Sequence, residues 1–95
     1  MSVFIIARIT VTDPADYATY AAQTVALAEK AGGKFLVKGG DYVVAEGSDP
    51  NCRNVVIEFS TRAMAQAWYN SPEYQDILPI ALRASTREII IVDGV

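Results

Sequence analysis

The stretch that decides the fold is residues 3–11, VFIIARITV, because its side chains alternate in character from one residue to the next. The odd-numbered positions are all apolar, whereas the even-numbered positions mix apolar residues with Arg8 and Thr10. Strict alternation of this kind predicts a β-strand. Its two faces predict two environments, one that is apolar throughout and one that is apolar with interspersed polar groups.

The residues that follow this strand predict a helix with clear signals at both ends. Asp13 can accept hydrogen bonds from the free N–H groups of the first turn, and Pro14 suits the first helical position. Gly32 and Gly33 predict the end of the helix, since glycine takes the left-handed turn there without steric cost.

Three further strands are predicted in the rest of the chain. The second covers residues 34–37, is interrupted by Gly39-Gly40 as a bulge or bend, and continues over residues 41–46. Residues 54–59 alternate again and form the third strand, and residues 88–92 form the fourth.

Two helical segments are predicted between the third and fourth strands. One follows a cap at residue 60 or 61 and runs to about Tyr69. Ser71-Pro72 starts the other, which extends to about Leu82. We expect Pro79 to kink or break that segment, because proline lacks the N–H that a helix interior requires.

The order of these elements is β-α-β-β-α-β with an extra helical segment, which predicts an α+β fold of the ferredoxin-like type. A single domain over residues 1–95 is expected, with an antiparallel four-stranded sheet and its helices on one face. The other face would expose several apolar side chains. We expect a second copy of the chain to cover it, giving a homodimeric α+β barrel. The side chains expected there are Phe4, Ile6, Leu36, Val56 and Ile90.

Composition limits the kinds of function that are open to this chain. The net charge is −3 and there is no run of basic residues, so we expect no nucleic-acid partner. No apolar stretch approaches the ~20 residues that span a bilayer, and no secretory leader is evident, so we expect no membrane partner. The single cysteine, Cys52, excludes an internal disulfide and is typical of a cytoplasmic protein.

The chain contains no histidine, which restricts its chemistry further. Without histidine and with one cysteine, the usual ligand sets for zinc, copper and haem cannot be assembled. Nucleophilic pairs of the Ser-His or Cys-His type are likewise excluded. We therefore expect no metal and no cofactor, and any acid-base step would use Asp, Glu, Tyr, Lys or water.

Distinctive motifs extend along nearly the whole chain. They are Asp13-Pro14 with Tyr17 and Tyr20, the segment 32–40, Glu46-Gly47, residues 55–59, residues 68–75 and Val92-Asp93-Gly94. Together they resemble domain-of-unknown-function family 1330, in the dimeric α+β barrel superfamily. The resemblance implies a dimer of this fold with an unassigned biochemical role. Relatives in the wider superfamily include cofactor-free oxygenases of aromatic polyketides, muconolactone isomerases, haem-degrading enzymes and stress-responsive proteins, so a function cannot be inferred from the fold.

Three charged residues are candidates because they fall on strand faces that are otherwise apolar. Arg8 and Glu58 lie on the mixed faces of neighbouring strands, and Lys38 is expected on the Leu36 side of the second strand. One interpretation is a cross-strand ion pair that fixes the register of the dimer. The other is that Arg8 and Lys38 hold an anionic ligand, with Glu58 as a weak candidate for a catalytic proton carrier.

Aromatic residues provide the remaining candidates for a ligand site. Those on the first helix either pack in the core or lie at the mouth of a pocket between helix and sheet. Those between residues 68 and 74 either anchor the third helix or wall an apolar pocket, into which the guanidinium of Arg83 could point. The aromatic candidates are Tyr17, Tyr20, Trp68, Tyr69 and Tyr74.

These observations leave three functional hypotheses. The first is a cytoplasmic homodimer that binds a small, partly apolar or anionic molecule. The second is a cofactor-independent isomerase or oxygenase that uses Glu58 or a tyrosine as proton carrier. The third is a stress-response or interaction module without ligand chemistry.

Overall fold

The computed structural model describes all 95 residues and contains one four-stranded sheet with three helices on one of its faces. The ferredoxin-like α+β fold predicted from the sequence is confirmed. No helix is long and apolar enough to cross a membrane. The elements are β1 (Val3–Val11), α1 (Pro14–Lys30), β2 (Lys34–Lys38), β3 (Arg53–Phe59), α2 (Arg62–Tyr69), α3 (Pro72–Ala84) and β4 (Ser85–Asp93).

The sheet has the order β2-β3-β1-β4, and every neighbouring pair is antiparallel. β1 therefore has a neighbouring strand on each side. Its odd-numbered residues from Val3 to Ile9 point at the helices and are almost fully buried, whereas Ile6, Arg8 and Thr10 are exposed on the other face. The molecule measures 34 × 33 × 16 Å, so it is a slab of two layers, and its core lies between the sheet and the helices.

The face without helices, called here the open face, carries a connected set of apolar side chains. Ile6 of β1 lies directly opposite Ile90 of β4 and opposite Val56 of β3. Ile90 keeps 56% of its surface in contact with solvent, although leaving such side chains in water is unfavourable by roughly 25 cal/mol per Å². The open face also includes Phe4 and Val92.

The predicted continuation of β2 over residues 41–46 is wrong. Gly39 takes a left-handed conformation with φ +70°, and its N–H donates to the carbonyl of Asn54 as the last link to β3. Because β3 begins at Arg53, no strand lies opposite the residues beyond Gly39. The chain instead forms an exposed loop, which is closed by a 2.5 Å hydrogen bond from the Tyr42 hydroxyl to Asp49.

The expected break at Pro79 is also wrong, because α3 continues through it to Ala84. Pro79 is exposed, so the Gln75 carbonyl that loses its helical partner can be hydrated. Buried residues on both sides of Pro79, among them Ile77 and Ala81, hold the two halves of the helix against the sheet.

β4 begins at Ser85, three residues earlier than predicted, and follows α3 without a connecting loop. The Ser85 hydroxyl donates to the Ala81 carbonyl, 2.5 Å away, and the backbone of Ser85 pairs at once with Val11. The alternation of β4 consequently places Arg87 on the helix-facing side, in line with Ile89 and Ile91.

The start of α1 offers a test of the capping assignment. The Asp13 carboxylate accepts a hydrogen bond from the Asp16 N–H at 3.1 Å. We expect Asp13→Ala to lower the free energy of unfolding by about 1 kcal/mol, since one N–H of the first turn loses its partner. Urea unfolding should give a lower midpoint at an unchanged slope, while Asp13→Asn should stay close to the parent protein. Equal midpoints for the parent and the alanine variant would contradict the assignment.

Candidate functional site

A cavity of about 50 Å³ lies between α1 and the helix-facing side of the sheet. It is called here the α1 cavity. Its floor is formed by inward residues of all four strands, including Ile5, Ala7 and Ile9 of β1. Tyr17 and Tyr20 of α1 line its other side. Most of the lining is therefore apolar, as is usual in pockets that bind small molecules.

Every buried side-chain nitrogen or oxygen that lacks a hydrogen-bond partner belongs to a residue that lines this cavity. These atoms are Thr24 Oγ1, Arg53 Nε, Trp68 Nε1 and Arg87 Nη1. Three of the four can only donate, because guanidinium and indole nitrogens have no acceptor capacity. Buried polar groups are almost always paired in native proteins, so four unpaired atoms around one cavity point to a missing partner there.

The charged residues of the cavity are all cations. Lys38, Arg53 and Arg87 line it, and no Asp or Glu does. The two ion pairs of the chain involve Arg62 and Arg83, so none of the three cavity cations has a carboxylate within 4.0 Å. In a protein with a net charge of −3, this arrangement concentrates positive charge at one place.

The strand register explains how two arginines come to flank the cavity. Ile9 of β1 lies opposite Arg53 of β3 on one side and opposite Arg87 of β4 on the other. Both guanidiniums thus start from the same level of the sheet. A Cβ at Gly39 would approach the Arg53 guanidinium carbon to 2.6 Å, so only glycine leaves room for Arg53 in this position.

A β-bulge brings Lys38 to the same side. Phe35 lies opposite Ile57, but Val37 lies opposite Val56, so the register of β2 shifts by one residue. Such a shift moves each later side chain to the other face. Lys38 consequently lies on the helix side, opposite Val55, and the prediction that it shares the open face is wrong.

Arg87 also anchors a pair of tyrosines. Its Nη2 donates to the hydroxyls of Tyr20 at 3.2 Å and Tyr74 at 3.3 Å, and these two hydroxyls are 2.8 Å apart. The tyrosine pair uses only one of its two hydroxyl hydrogens. The second is free to donate to another acceptor, and Tyr20 is the partner that lines the cavity.

Burial fixes the protonation of these groups. It raises the pKa of Tyr74, and the neighbouring Tyr20 oxygen raises it further. Burial likewise raises the pKa of Tyr17, against a smaller opposing effect of the nearby arginines. For Arg87, burial lowers the pKa, but the oxygens of Tyr20 and Tyr74 outweigh this effect and raise it overall. Tyr17 and Tyr74 are therefore neutral phenols, and Arg87 is a charged guanidinium.

These shifts predict a loss of stability in alkaline solution. Below about pH 10 the phenols are protonated in both states, but above it the unfolded chain releases protons that folded Tyr74 retains. The free energy of unfolding should then fall, by up to about 1.4 kcal/mol per pH unit for one such group. Urea unfolding between pH 9 and 12 should show a shallower decline for Tyr74→Phe. Identical pH profiles for the two proteins would contradict the shift.

The aromatic residues at the end of α2 and in the first turn of α3 lie in different surroundings. Ser71 caps α3 by accepting from the Tyr74 N–H, while its hydroxyl donates to the Trp68 carbonyl. Tyr74 therefore packs against Trp68, with ring centroids 4.4 Å apart, and is fully buried. Trp68 lines the cavity, and Tyr69 lies in a separate apolar groove beside Ile91.

The remaining candidates lie outside the cavity. Arg83 forms a bidentate ion pair with Asp16 on the outer surface, at 2.6 and 3.0 Å, instead of entering a pocket. Arg8 is exposed on the open face. Glu58 lies on the same face, but it is opposite Phe4 and therefore four residues from Arg8 along the sheet. The expected ion pair between Arg8 and Glu58 does not form within the chain.

Sequence reasoning missed Arg53, Arg87 and Thr24. Both arginines precede the predicted starts of their strands by one residue, so the strand predictions leave them in the neighbouring loops. The signal was present in the alternation, since Arg53 shares the parity of Val55 and Ile57. An arginine that continues an apolar strand face is unusual enough to mark a site.

The structure contains no group of three or more His, Cys, Asp or Glu side chains that could hold a metal ion. The donor set of the cavity is also unsuited to a cation, because its polar atoms are themselves N–H donors and positive charges. What the arrangement can do chemically is to bind and orient acceptor oxygens, in particular those that carry negative charge.

Comparison with solved structures shows the same fold in several proteins. RPA0582 from Rhodopseudomonas palustris, a protein of unknown function, has a TM-score of 0.79 at 16% identity over 99% of this chain and 82% of its own. SnoaB from Streptomyces nogalater, a cofactor-independent oxygenase, has a TM-score of 0.71 at 18% identity over 99% and 93%. A conserved protein from Methanosarcina mazei has a TM-score of 0.59 at 16% identity over 100% and 95%.

Identities this low support the fold alone. Comparison with curated proteins gives no match in sequence. The family model of the domain of unknown function DUF1330, in contrast, matches residues 2–95. This agrees with the motifs that extend over nearly the whole sequence, and the chain is therefore a member of the DUF1330 family.

Proposed function

We propose that the α1 cavity binds a small molecule that is apolar over most of its surface and carries an anionic group. The observation that supports this most strongly is the coincidence of all four unpartnered buried polar atoms at one cavity. Three cations without a carboxylate partner line the same cavity, so we expect the occupant to carry negative charge. The apolar strand residues of the cavity indicate that most of the occupant's surface is apolar.

The energetic argument is direct. Each buried polar atom without a partner costs about 1–3 kcal/mol, so four cost about 4–12 kcal/mol together. That sum is comparable with the whole stability of a small domain, about 5–15 kcal/mol. An occupant must therefore offset much of it, and water is the default occupant in the absence of a ligand. An anion would displace that water and neutralise the cations as well.

The second candidate function is a cofactor-independent oxygenase or isomerase, which the fold shared with SnoaB favours. The chemistry of the cavity supports it less well than binding. No carboxylate lines the cavity, burial raises the pKa of Tyr17, and Glu58 lies on the other face. No group at the site is ready to accept a proton near neutral pH. A reaction there would need a substrate that arrives already ionised.

The third hypothesis, an interaction module without ligand chemistry, predicts a cavity filled by the protein's own side chains. The α1 cavity with its unpaired donors argues for the binding function instead.

The binding function is tested by a thermal-shift screen with short carboxylates, aromatic acids and small lactones, followed by calorimetry of the hits. We expect carboxylates to raise the melting temperature, because a ligand that binds only the folded state stabilises it. The corresponding neutral amides should have little effect. If no anion in the screen shifts the melting temperature at millimolar concentration, the proposal is wrong.

We propose further that the chain works as a cytoplasmic homodimer that associates through the open face. The exposed side chains of Ile6 and Ile90, next to each other on a flat sheet, support this assembly. The free Cys52 is in keeping with a reducing compartment.

A further inference from the structure

The polar side chains of the α1 cavity have more hydrogens to donate than oxygens that can receive them. Lys38, Arg53 and Arg87 can only donate. The buried atoms Arg53 Nε and Arg87 Nη1 find no acceptor in the protein, and the hydroxyl of Thr24 is also without a partner. The cavity is therefore short of acceptors.

The tyrosine pair beside Arg87 adds one more donor. Nη2 of Arg87 donates to both hydroxyl oxygens, which are 2.8 Å apart. If Tyr20 donated to Tyr74, the hydrogen of Tyr74 would need another acceptor, yet Tyr74 is fully buried and its hydroxyl makes no further hydrogen bond. Tyr74 therefore donates to Tyr20. Both lone pairs of the Tyr20 oxygen are then occupied, and Tyr20 offers a ligand only its own hydrogen.

The lining contains no group that could take up a further hydrogen without adding one of its own. No Asp or Glu lines the cavity. Glu88 follows Arg87 in the sequence, but it lies opposite Arg8 on the open face and is exposed. The hydroxyl oxygens of Thr24 and Tyr17 can accept, but each hydroxyl also has a hydrogen to donate. A ligand that brings another hydrogen therefore increases the excess of donors.

An anion that retains an acidic hydrogen is at a double disadvantage in such a site. Its O–H group needs an acceptor that the lining does not supply, and an unpaired buried donor is unfavourable. The oxygen that carries the hydrogen is also a weaker acceptor for the cationic donors. Two anions of equal charge and similar shape should therefore bind with different affinities.

Resting on the binding function proposed above, we infer that the α1 cavity selects anions that carry no acidic hydrogen. Carboxylates and sulfonates belong to this class, whereas phosphate and phosphonate groups that retain a P–O–H hydrogen bind more weakly. Arg53, Arg87 and the Tyr20 hydroxyl donate to the anion, and Tyr74 keeps Tyr20 in the role of a donor.

Calorimetry with methanesulfonate and methylphosphonate tests this inference, because the two anions have nearly the same shape. The cavity of about 50 Å³ has room for about three to five water-sized groups, which suits both. At about pH 6 each carries one negative charge, and only methylphosphonate keeps an acidic hydrogen. We expect methanesulfonate to bind about tenfold more tightly there. At about pH 9 methylphosphonate has lost that hydrogen and should bind at least as tightly as methanesulfonate.

Methanesulfonate also controls for titration of the protein, since its own charge is the same at both pH values. The ratio of the two affinities at each pH therefore isolates the effect of the acidic hydrogen. The titratable side chains around the cavity are Tyr17 and Tyr20 of α1, Lys38 of β2, Arg53 of β3, Tyr74 of α3 and Arg87 of β4.

The variant Tyr74→Phe tests the contribution of the tyrosine pair. It removes the hydrogen that Tyr20 receives, so the Tyr20 oxygen can accept from methylphosphonate. We expect the tenfold preference at about pH 6 to fall to about threefold or less. Tyr42→Phe is the control, because it removes a hydroxyl from the exposed loop and should leave the preference intact. If Tyr74→Phe does not fold, the comparison of the two anions in the unmodified protein decides by itself.

The outcomes distinguish this inference from the function on which it rests. A preference for methanesulfonate at about pH 6 that is lost at about pH 9 and narrows in Tyr74→Phe supports the inference. Equal affinities at about pH 6, failure of methanesulfonate while carboxylates bind, or a preference that Tyr74→Phe leaves unchanged overturns it and leaves the anion-binding function standing. Failure of both anions and of every carboxylate overturns the binding function and the inference together.

Discussion

Replacing Arg87 by glutamine should weaken the binding of carboxylates by about 10- to 100-fold. Hydrogen bonds to charged groups contribute about 1.5–3 kcal/mol, and Arg87 is a half-buried cation with an unpartnered Nη1 at the cavity. Its Nη2 also donates to the hydroxyls of Tyr20 and Tyr74, so the variant also loosens Tyr20 in the lining of the cavity. The measurement is calorimetric titration with the carboxylate that gives the largest thermal shift.

The matched control is Arg62→Gln. Arg62 forms an exposed ion pair with Asp93 at 2.6 Å, away from the cavity, so the same change of charge should leave affinity within about twofold. Arg87→Lys should give an intermediate affinity, since it retains the charge and loses the planar donor group. An equal loss in the Arg62 and Arg87 variants would mean that binding follows net charge and not this site.

Introducing aspartate at both Ile6 and Ile90 should convert the proposed dimer into a monomer. The two residues lie opposite each other on the open face, Ile6 on the inner strand β1 and Ile90 on the edge strand β4, so a two-fold contact through this face would bury four carboxylates without partners. Burial of unpaired charge costs several kcal/mol, which weakens association by about a thousandfold or more. Sedimentation at micromolar concentration should give about twice the 10.3 kDa chain mass for the parent and the single mass for the variant.

Leu82→Asp is the control for this experiment. Leu82 is 59% exposed on α3, on the opposite side of the molecule, so the added charge there should leave the dimer intact. Because Ile6, Ile90 and Leu82 are all exposed, neither variant should unfold the monomer. A parent protein that sediments as a monomer would contradict the proposed assembly.

The fold was predictable because each element carries local signals that agree with one another. The alternation of β1, the cap at Asp13 and the Ser71-Pro72 start of α3 are all found as predicted. The two wrong predictions of secondary structure concern Pro79 and residues 41–46, where tertiary contacts determine the local structure. Pro79 is tolerated because packing of α3 outweighs one missing hydrogen bond, and residues 41–46 are not a strand because β3 is too short to pair with them.

The candidate site was only partly predictable. Tyr17 and Tyr20 were candidates for the mouth of a pocket between helix and sheet, and Trp68 was a candidate for the wall of an apolar pocket. The structure places all three at the α1 cavity, and their role in binding stays a prediction. The cations could not be placed with the same certainty. Lys38 reaches the cavity through a bulge whose position the sequence does not specify.

The two arginines illustrate a different difficulty. Arg53 is the first residue of β3 and Arg87 is the third residue of β4. A charged residue so close to the start of a strand is usually assigned to the preceding loop. Only the register, which sets both opposite Ile9, reveals that they form one site. A strand boundary displaced by a single residue therefore decides whether the site is recognised.

The binding role of the cavity is tested most directly by the proton resonance of the Trp68 indole N–H, because Trp68 lines the α1 cavity. Trp68 is the only tryptophan, so a ¹⁵N-labelled sample gives one indole signal. Titration with the carboxylate that gives the largest thermal shift should move this signal in a saturable manner, at the affinity that calorimetry gives, since the ligand changes the surroundings of the ring. An indole signal that remains unchanged at saturation, in an otherwise folded protein, would contradict the account.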